Sequence, residues 1–233
     1  QTAAAGGRVS HAYLFTGGKG AGKRMLADTF AKALQCEGAD ERPCCACASC
    51  TAFDSGNHPD VIYVRTEKKS IGVDEIREQI LETVNLKPYR FACKIYIIEN
   101  ADTMTVQAQN ALLKTLEEPP LYARFLLLAE RAEAFLPTIP SRVVVMPLRP
   151  LPEQEIAAYL REKMHVPAEA CGSYAAYAQG CIGRALDLLQ DEDFQQLRQD
   201  ILQKVQALPG MSEADVLAMA KDLEGYKNDH RFL

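Results

Sequence analysis

A glycine-rich segment near the start of the chain has the spacing of a phosphate-binding loop. Residues 17–23, GGKGAGK, fit the pattern G-x-x-x-x-G-K-[ST] up to its last position, where Arg24 replaces the serine or threonine. The candidate phosphate-binding residues are Gly17, Gly20, Gly22 and Lys23. In such loops backbone N–H groups and the lysine bind phosphates, and the hydroxyl binds Mg²⁺. Because a guanidinium cannot ligate a cation, the sequence predicts a phosphate loop that lacks its metal ligand.

A second candidate site follows an apolar strand predicted at residues 94–98. In nucleotide-hydrolysing proteins with a phosphate-binding loop, the corresponding strand ends in two acidic residues. One assists Mg²⁺ and the other positions the attacking water. Here Glu99 keeps a carboxylate, but Asn100 has no basic lone pair to offer water. Losing a general base lowers a rate by roughly 10²–10⁴. Together, Arg24 and Asn100 predict a chain that does not hydrolyse ATP usefully and binds ATP or ADP weakly at best.

Five of the eight cysteines lie within residues 36–50. Four of them, Cys36, Cys44, Cys47 and Cys50, follow the spacing C-x₇-C-x₂-C-x₂-C. Close cysteines in a reducing compartment indicate a metal site before disulfides or free thiols, and four thiolates are typical of structural Zn²⁺. Cys45 leaves the second ligand ambiguous, although the spacing favours Cys44. We expect the zinc only to fix the insertion.

The elements that must position these residues alternate between strands and helices. Strands are predicted at 12–15, 61–64, 94–98, 125–129 and 143–145, and helices at 25–34, 73–84 and 106–116. This alternation predicts an α/β fold with a parallel sheet. Residues 146–152 are rich in proline and predict a linker. Only helices follow, at 153–164, 168–178, 182–190, 193–207 and 213–223.

The composition is that of an ordinary globular protein, with 233 residues, 48% hydrophobic and 24% charged, and a net charge of -5. There is no global basic surface for nucleic acid, so any DNA contact is expected to be local or made through partners. We expect a cytoplasmic protein without membrane contact, since no apolar run approaches about 20 residues and no signal-peptide pattern opens the chain. We interpret the chain, which begins without methionine, as a fragment.

Several motifs together resemble bacterial replicative clamp-loader subunits of the AAA+ superfamily, over about residues 8–190. The stretch LLKTLEEPP at 112–120 is highly specific. The others are HAYLF at 11–15, the glycine loop, the four-cysteine insertion, HPD at 58–60 and PSR at 140–142. The resemblance implies a RecA-like sheet with helices on both faces and a zinc insertion at 36–50, together forming residues 1–147. A helical lid at 148–190 and the start of a helical collar domain within 191–233 would follow.

The resemblance also implies a role within an assembly. In this family the tau/gamma subunits of DNA polymerase III are ATP-hydrolysing motors and carry Gly-Lys-Thr and Asp-Glu, whereas delta-prime subunits carry degenerate versions. Arg24 and Asn100 make the chain similar to the delta-prime class. The implied partners are tau/gamma and delta subunits, and, through the assembly, the sliding clamp and primer–template DNA.

Two arginines gain possible roles from the resemblance. The family's Ser-Arg-Cys motif presents an arginine to the ATP site of the neighbouring motor, and Arg142 matches it although Val143 replaces the cysteine. Such a trans arginine is worth roughly 10³–10⁵ in rate. Arg184 matches a second sensor segment and is either vestigial or in contact with nucleotide. The alternatives are a motor-type ATPase, favoured by the intact Lys23, and a zinc-dependent nucleic-acid-binding module.

Overall fold

In a computed structural model, which describes residues 9–39, 41–207 and 216, five strands form one parallel sheet. They are β1 (Ala12–Thr16), β2 (Val61–Val64), β3 (Lys94–Ile98), β4 (Ala123–Ala129) and β5 (Val144–Pro147). Their order across the sheet is β2-β3-β4-β1-β5, with every neighbouring pair parallel. The predicted parallel α/β sheet is confirmed.

Helices cover both faces of this sheet. They are α1 (Lys23–Gln35), α2 (Ala48–Asp54), α3 (Val73–Ile76, continued by a π-helical turn at Arg77–Leu81) and α4 (Val106–Glu117). On one face, side chains of α3, its π-helical turn and α4 join alternate strand residues in a buried cluster that includes Ile80, Leu112 and Tyr96. On the other face, Ala27 and Ala31 of α1 pack in a second cluster. Burial on both faces explains why β1 and β3 are apolar almost throughout.

The prediction of a linker at 146–152 is wrong for its first two residues. Met146 and Pro147 continue β5, and Pro147 pairs with Thr16. Proline is tolerated here because β5 lies at the edge of the sheet, where a missing N–H does not interrupt a second neighbour. The next N–H, that of Leu148, donates to Thr16 O over 2.7 Å. Hydrogen bonding between β5 and β1 therefore continues past Pro147, a residue at which the sequence predicted a linker.

The described residues fall into two compact units that divide between Arg149 and Pro150. In its described part the second unit is helical, with α5 (Glu153–Lys163), α6 (Ala168–Tyr177), α7 (Ile182–Gln190) and α8 (Glu192–Ala207). Ile156, Leu160 and Tyr174 belong to its own buried cluster. The helix predicted at 213–223 lies outside the described residues apart from position 216. That these helices form a lid and then the start of a collar stays a prediction.

Within the described ranges, no helix combines the length and the apolar character that crossing a membrane requires.

Candidate nucleotide site, cysteine cluster and surface arginine

The glycine loop connects β1 to α1 and has the backbone that its sequence predicts. Gly20 and Gly22 adopt φ values of 78° and 83°, a left-handed region that side chains with a Cβ rarely occupy. A Cβ added at Gly17 would lie 3.2 Å from Leu148 Cβ, so this position is also tightly packed. The loop therefore delivers the chain directly into the N-terminus of α1, where backbone N–H groups point outward and favour anions.

Lys23, the first residue of α1, folds back onto the loop. Its ammonium donates to Gly17 O (2.6 Å) and Gly18 O (3.0 Å). The structure therefore brings together the predicted phosphate-binding residues Gly17 and Lys23. A bound phosphate would have to exchange these carbonyl contacts for its own oxygens.

Arg24 does not point along the loop but lies between α1 and the end of β3. Its Nε donates to Asp28 Oδ1 (3.0 Å) and Oδ2 (2.8 Å), and its Nη1 donates to Glu99 Oε1. The guanidinium carbon also lies 4.3 Å from the centre of the Tyr63 ring, which is a cation–π distance. Arg24 therefore has a carboxylate on each side and an aromatic face beneath it.

Two further contacts complete this group of side chains, which we call the Arg24 cluster: Arg24, Asp28, Tyr63, Arg65 and Glu99. The hydroxyl of Tyr63 donates to Asp28 Oδ1 (3.1 Å), and Arg65 Nε donates to Glu99 Oε1 (3.0 Å). Burial alone would lower the pKa of Arg24, but the hydrogen bond to Asp28 and the charges of Asp28 and Glu99 raise it above its usual value. The guanidinium is therefore a permanent cation at the carboxylate that would assist Mg²⁺.

Sequence reasoning singled out Arg24 and Glu99 but missed Asp28, Tyr63 and Arg65. The contact with Asp28 could have been predicted, because residues four apart on a helix lie side by side and Arg24 and Asp28 have this spacing. Tyr63 and Arg65 come from the end of β2 and its following loop. Their meeting with Arg24 depends on the strand order, which places β2 beside β3.

Asn100 follows Glu99 in a left-handed backbone conformation, with φ 49° and ψ 44°. Its carbonyl accepts from Thr103 Oγ1 (2.8 Å) as the chain turns away from β3. Glu99 and Asn100 line a cavity of about 170 Å³ together with Arg65, Lys68 and Lys69. The end of β3 therefore carries one carboxylate, already paired with two arginines, and one neutral amide.

The four cysteines with metal-site spacing come together in the structure. The sulfur atoms of Cys36, Cys44, Cys47 and Cys50 all lie within 4.8 Å of one another. Tetrahedral zinc with Zn–S bonds of about 2.3 Å would set these sulfurs about 3.8 Å apart. The donor set and its compactness fit structural zinc.

Backbone N–H groups prepare several of these sulfurs to bind as thiolates. Cys36 Sγ accepts from the N–H groups of Gly38 and Cys44, each over 3.3 Å. Hydrogen bonds from the N–H groups of Ala46 and Cys47 lower the pKa of Cys44 to about 6. Burial instead raises the pKa of Cys50 to about 12. A cation among the sulfurs would offset the cost of ionising this buried thiol.

Cys45, the alternative to Cys44, lies outside the cluster. It is exposed, has a φ of 57°, and its sulfur accepts from Lys32 Nζ over 3.4 Å. Lys32 is in turn paired with Asp54 at 2.7 Å. The structure therefore places Cys44, and not Cys45, among the four candidate ligands.

A buried histidine joins the cysteine insertion to the sheet. His58 Nε2 lies 3.2 Å from the hydroxyl of Ser49 in α2, and Nδ1 accepts from the N–H of Asp60 (3.2 Å). Burial lowers the pKa of His58, although the charge of Asp60 opposes this. The Asp60 carboxylate accepts from the N–H groups of Arg90 (2.9 Å) and Phe91 (2.8 Å). His58, which the sequence indicated only as part of the HPD motif at 58–60, is thus part of a buried polar connection.

Arg142 lies before β5 and its side chain is about one third exposed, at 33%. Its Nη1 donates to Thr138 O (2.9 Å) and to Ser141 Oγ (3.1 Å). Its Nη2 forms an ion pair with Glu117 Oε1 at 2.7 Å. Arg142 pairs with one carboxylate, whereas Arg24 pairs with two. Sequence reasoning quoted Glu117 as part of a motif but did not connect it with Arg142.

Arg184 lies in α7 of the second unit, where its Nη1 donates to Gln179 Oε1 over 2.8 Å. Its predicted relation to nucleotide stays a prediction.

Comparisons with known proteins identify the relatives of this chain. A family model described as DNA polymerase III, delta subunit, matches residues 1–152. A DNA polymerase III tau/gamma subunit from Haemophilus influenzae is 38% identical over 187 residues, covering 78% of this chain and 27% of the relative. A delta' subunit from Bacillus subtilis is 34% identical over 204 residues, covering 86% and 60%. The chain therefore spans between 27% and 60% of the length of these two relatives.

Solved structures show the same fold. The crystal structure of a DNA polymerase III gamma subunit-related protein from Thermotoga maritima matches with a TM-score of 0.52 at 28% identity, covering 73% of this chain and 53% of that one. A RuvB Holliday junction branch migration motor from Thermotoga maritima matches with a TM-score of 0.54 at 16% identity, covering 97% and 72%. The RuvB likeness is evidence for fold alone. Together the two matches confirm the predicted RecA-like AAA+ fold.

Proposed function

This chain belongs to the DNA polymerase III delta subunit family of bacterial clamp-loader proteins, and from that premise we propose that it is a clamp-loader subunit that hydrolyses little or no ATP itself. It is of the delta-prime type and works with tau/gamma and delta subunits to place the sliding clamp on primed DNA. The observation that carries this proposal is the position of Arg24 between Asp28 and Glu99.

The Arg24 cluster supports loss of hydrolysis by a direct electrostatic argument. A Mg²⁺ ion assisted by Glu99 would share that carboxylate with Arg24, which is already paired with it. Each of the two positive charges of Mg²⁺ would be repelled by a guanidinium about 4 Å away by about 4 kcal/mol at an effective dielectric constant of 20, and by less where solvent screens the exposed part of Arg24. The loop also offers no hydroxyl after Lys23, and Asn100 is no base for the water. Metal binding and water activation are thus both weakened.

Sequence similarity alone does not separate the two classes, because the tau/gamma relative is 38% identical and the delta' relative 34% identical. A motor-type ATPase is the second candidate function. The intact glycines and Lys23, which contacts the loop carbonyls, favour it. The choice between the classes therefore depends on the Arg24 cluster and Asn100.

Arg142 is the group through which a subunit without hydrolysis would influence turnover. Its guanidinium is partly exposed and is held by Thr138 and Ser141 of its own segment. An arginine supplied in trans stabilises the charge that develops on a transferring phosphoryl group. We therefore assign Arg142 the role of a trans arginine for a neighbouring tau/gamma motor.

The cysteine cluster has a structural role in this proposal. Four thiolates would fill the coordination sphere of Zn²⁺ and leave no position for substrate. The cluster begins at Cys36, directly after α1 ends at Gln35. Zinc would therefore fix the far end of the helix whose first turn carries Lys23 and Arg24.

The decisive experiment measures ATP hydrolysis by the full-length protein alone, with and without primed DNA. We expect no turnover above background, and no change when Lys23 is replaced by alanine. A tau/gamma subunit assayed in parallel provides the positive control. Steady turnover that Lys23→Ala abolishes would instead establish the motor-type function.

A further inference from the structure

We propose that Glu117 is a positioning residue for Arg142: its carboxylate fixes the direction in which the guanidinium is presented to the neighbouring subunit. This inference rests on the proposed trans role of Arg142. It adds a residue on a different element, 25 positions earlier in the chain, whose effect on turnover would be transmitted only through Arg142.

The contacts of Arg142 divide into local and distant ones. Both hydrogen bonds from Nη1 go to residues at most four positions away, Thr138 and Ser141. These contacts tie the side chain to its own loop. Glu117 is the contact that ties it to another element, through the 2.7 Å pair between Nη2 and Oε1. Without Glu117 the guanidinium keeps its contacts with Thr138 and Ser141 but loses its contact with α4.

Both ends of this pair stand on well-fixed backbone. Glu117 is the last residue of α4, and its neighbour Leu116 is buried in the sheet cluster. On the other side, the N–H of Arg142 donates to Ile139 O over 2.9 Å, and Ile139 and Val143 are buried in the same cluster. A contact between two fixed backbones can define an angle, whereas a contact between mobile ones cannot.

The position of Glu117 is not explained by the stability of its helix. An anionic side chain in the last turn of a helix opposes the helix dipole and is unfavourable there. An ion pair at this exposure offsets this by a comparably small amount, since the two side chains are 33% and 45% exposed. The pair therefore adds little net stability, and orientation of Arg142 is the effect that remains.

The arrangement leaves a donor for a partner's phosphate. Thr138 and Ser141 accept from Nη1 and Glu117 faces Nη2, so the Nε–H is not committed to a hydrogen bond within the described part of the chain. A guanidinium held at one edge can offer its remaining donor in a fixed direction. Misplacing a catalytic group by about 1 Å can cost about 10² in rate.

The test uses the full-length protein reconstituted with tau/gamma and delta subunits and measures ATP turnover stimulated by clamp and primed DNA. We expect Glu117→Ala to lower kcat roughly tenfold without changing KM for ATP. Glu117→Gln, which keeps an oxygen at the same place, should lie between alanine and wild type. Glu118→Ala is the matched control at the next position and should leave kcat unchanged. Combining Glu117→Ala with Arg142→Ala should have no more effect than Arg142→Ala alone.

Each contrary result has a distinct meaning. If Arg142→Ala leaves turnover unchanged, the trans role itself fails and this inference fails with it. If Arg142→Ala lowers turnover but Glu117→Ala does not, only the positioning role is wrong. A rise in kcat with Glu117→Ala would mean that the carboxylate restrains Arg142, and a further loss in the Arg142→Ala background would mean that Glu117 acts through the fold. Both of these outcomes overturn the inference.

Discussion

The first turn of α1 and the last turn of α4 both place charge against the helix dipole, but they offset its cost in different ways. α1 begins with Lys23 and Arg24 and has no acid in its first turn. α4 ends with Glu117. In α1 the cation Arg24 contacts Asp28, Glu99 and an aromatic ring, whereas in α4 the anion Glu117 contacts one arginine, Arg142.

The difference lies in the carboxylate contacts and not in exposure, since the side chains of Arg24 and Arg142 are 39% and 33% exposed. The donors of Arg24 are directed to two carboxylates of the same fold. Arg142 contacts one carboxylate, and its Nε–H is not committed to a hydrogen bond within the described part of the chain. In our proposal the first arrangement removes hydrolysis from this subunit, and the second supports hydrolysis in its neighbour.

Replacing Arg142 by alanine should give the largest effect and would test the Arg142 half of the comparison. In the reconstituted assembly we expect turnover at the neighbouring ATP site to fall on the order of 10³, because transition-state charge loses its trans partner. Steady-state and single-turnover ATP hydrolysis would measure it. Arg131→Ala, a change at another exposed arginine of the same unit, should have no effect. Equal losses in the two variants would contradict a specific role.

Removing zinc should give the second-largest effect, because it should destabilise the cysteine insertion and the end of α1, the helix that carries Arg24. Cys47→Ser should abolish stoichiometric zinc, measured by elemental analysis, and lower Tm by at least roughly 5 °C, since the remaining sulfurs of the cluster lose their shared cation. Cys45→Ser is the matched control one step outside the cluster and should keep both zinc and Tm. Loss of zinc from Cys45→Ser with retention in Cys44→Ser would reverse the ligand assignment.

Replacing Arg24 by threonine would test the Arg24 half of the comparison, because it should make the glycine loop and Glu99 a better site for Mg²⁺. The change supplies the missing hydroxyl and removes one of the two arginines paired with Glu99, so we expect affinity for ATP in the presence of Mg²⁺ to rise on the order of tenfold, about 1.4 kcal/mol. Calorimetric titration with and without Mg²⁺ would measure it. Arg24→Lys, which retains the cation, should show no such gain. Hydrolysis should stay low in both variants because Asn100 is unchanged.

The comparison also shows which features of the molecule the sequence could predict. The five strands and the cysteine cluster were predictable because their signals are local: apolar runs of three to five residues, and cysteines separated by two or seven residues. The loop glycines were predictable for the same reason. In each case the residues that signal the feature also form it, so no knowledge of the tertiary fold was needed.

The partners of the two arginines were not predictable in this way. Tyr63 and Arg65 reach Arg24 only because β2 lies beside β3. Glu117 reaches Arg142 only because α4 and the segment before β5 share one buried cluster. Such contacts depend on strand order and helix placement. Sequence motifs indicated the two arginines but not the side chains that contact them.

Acidification should give the smallest effect, and it should destabilise α2, which contacts His58 through Ser49, more than α4. Because burial lowers the pKa of His58, the unfolded chain, with a histidine pKa of about 6.5, takes up its proton first. The stability that neutral His58 contributes is therefore complete above about pH 6.5 and is lost as the pH falls through the folded-state pKa. Denaturant unfolding at pH 7.5 and 5.5 in excess zinc should show this loss in wild type and in the exposed control His165→Asn, but less in His58→Gln. Hydrogen exchange should rise at α2, which holds Ser49, before it rises at α4. A uniform rise in both helices would contradict the unequal weakening.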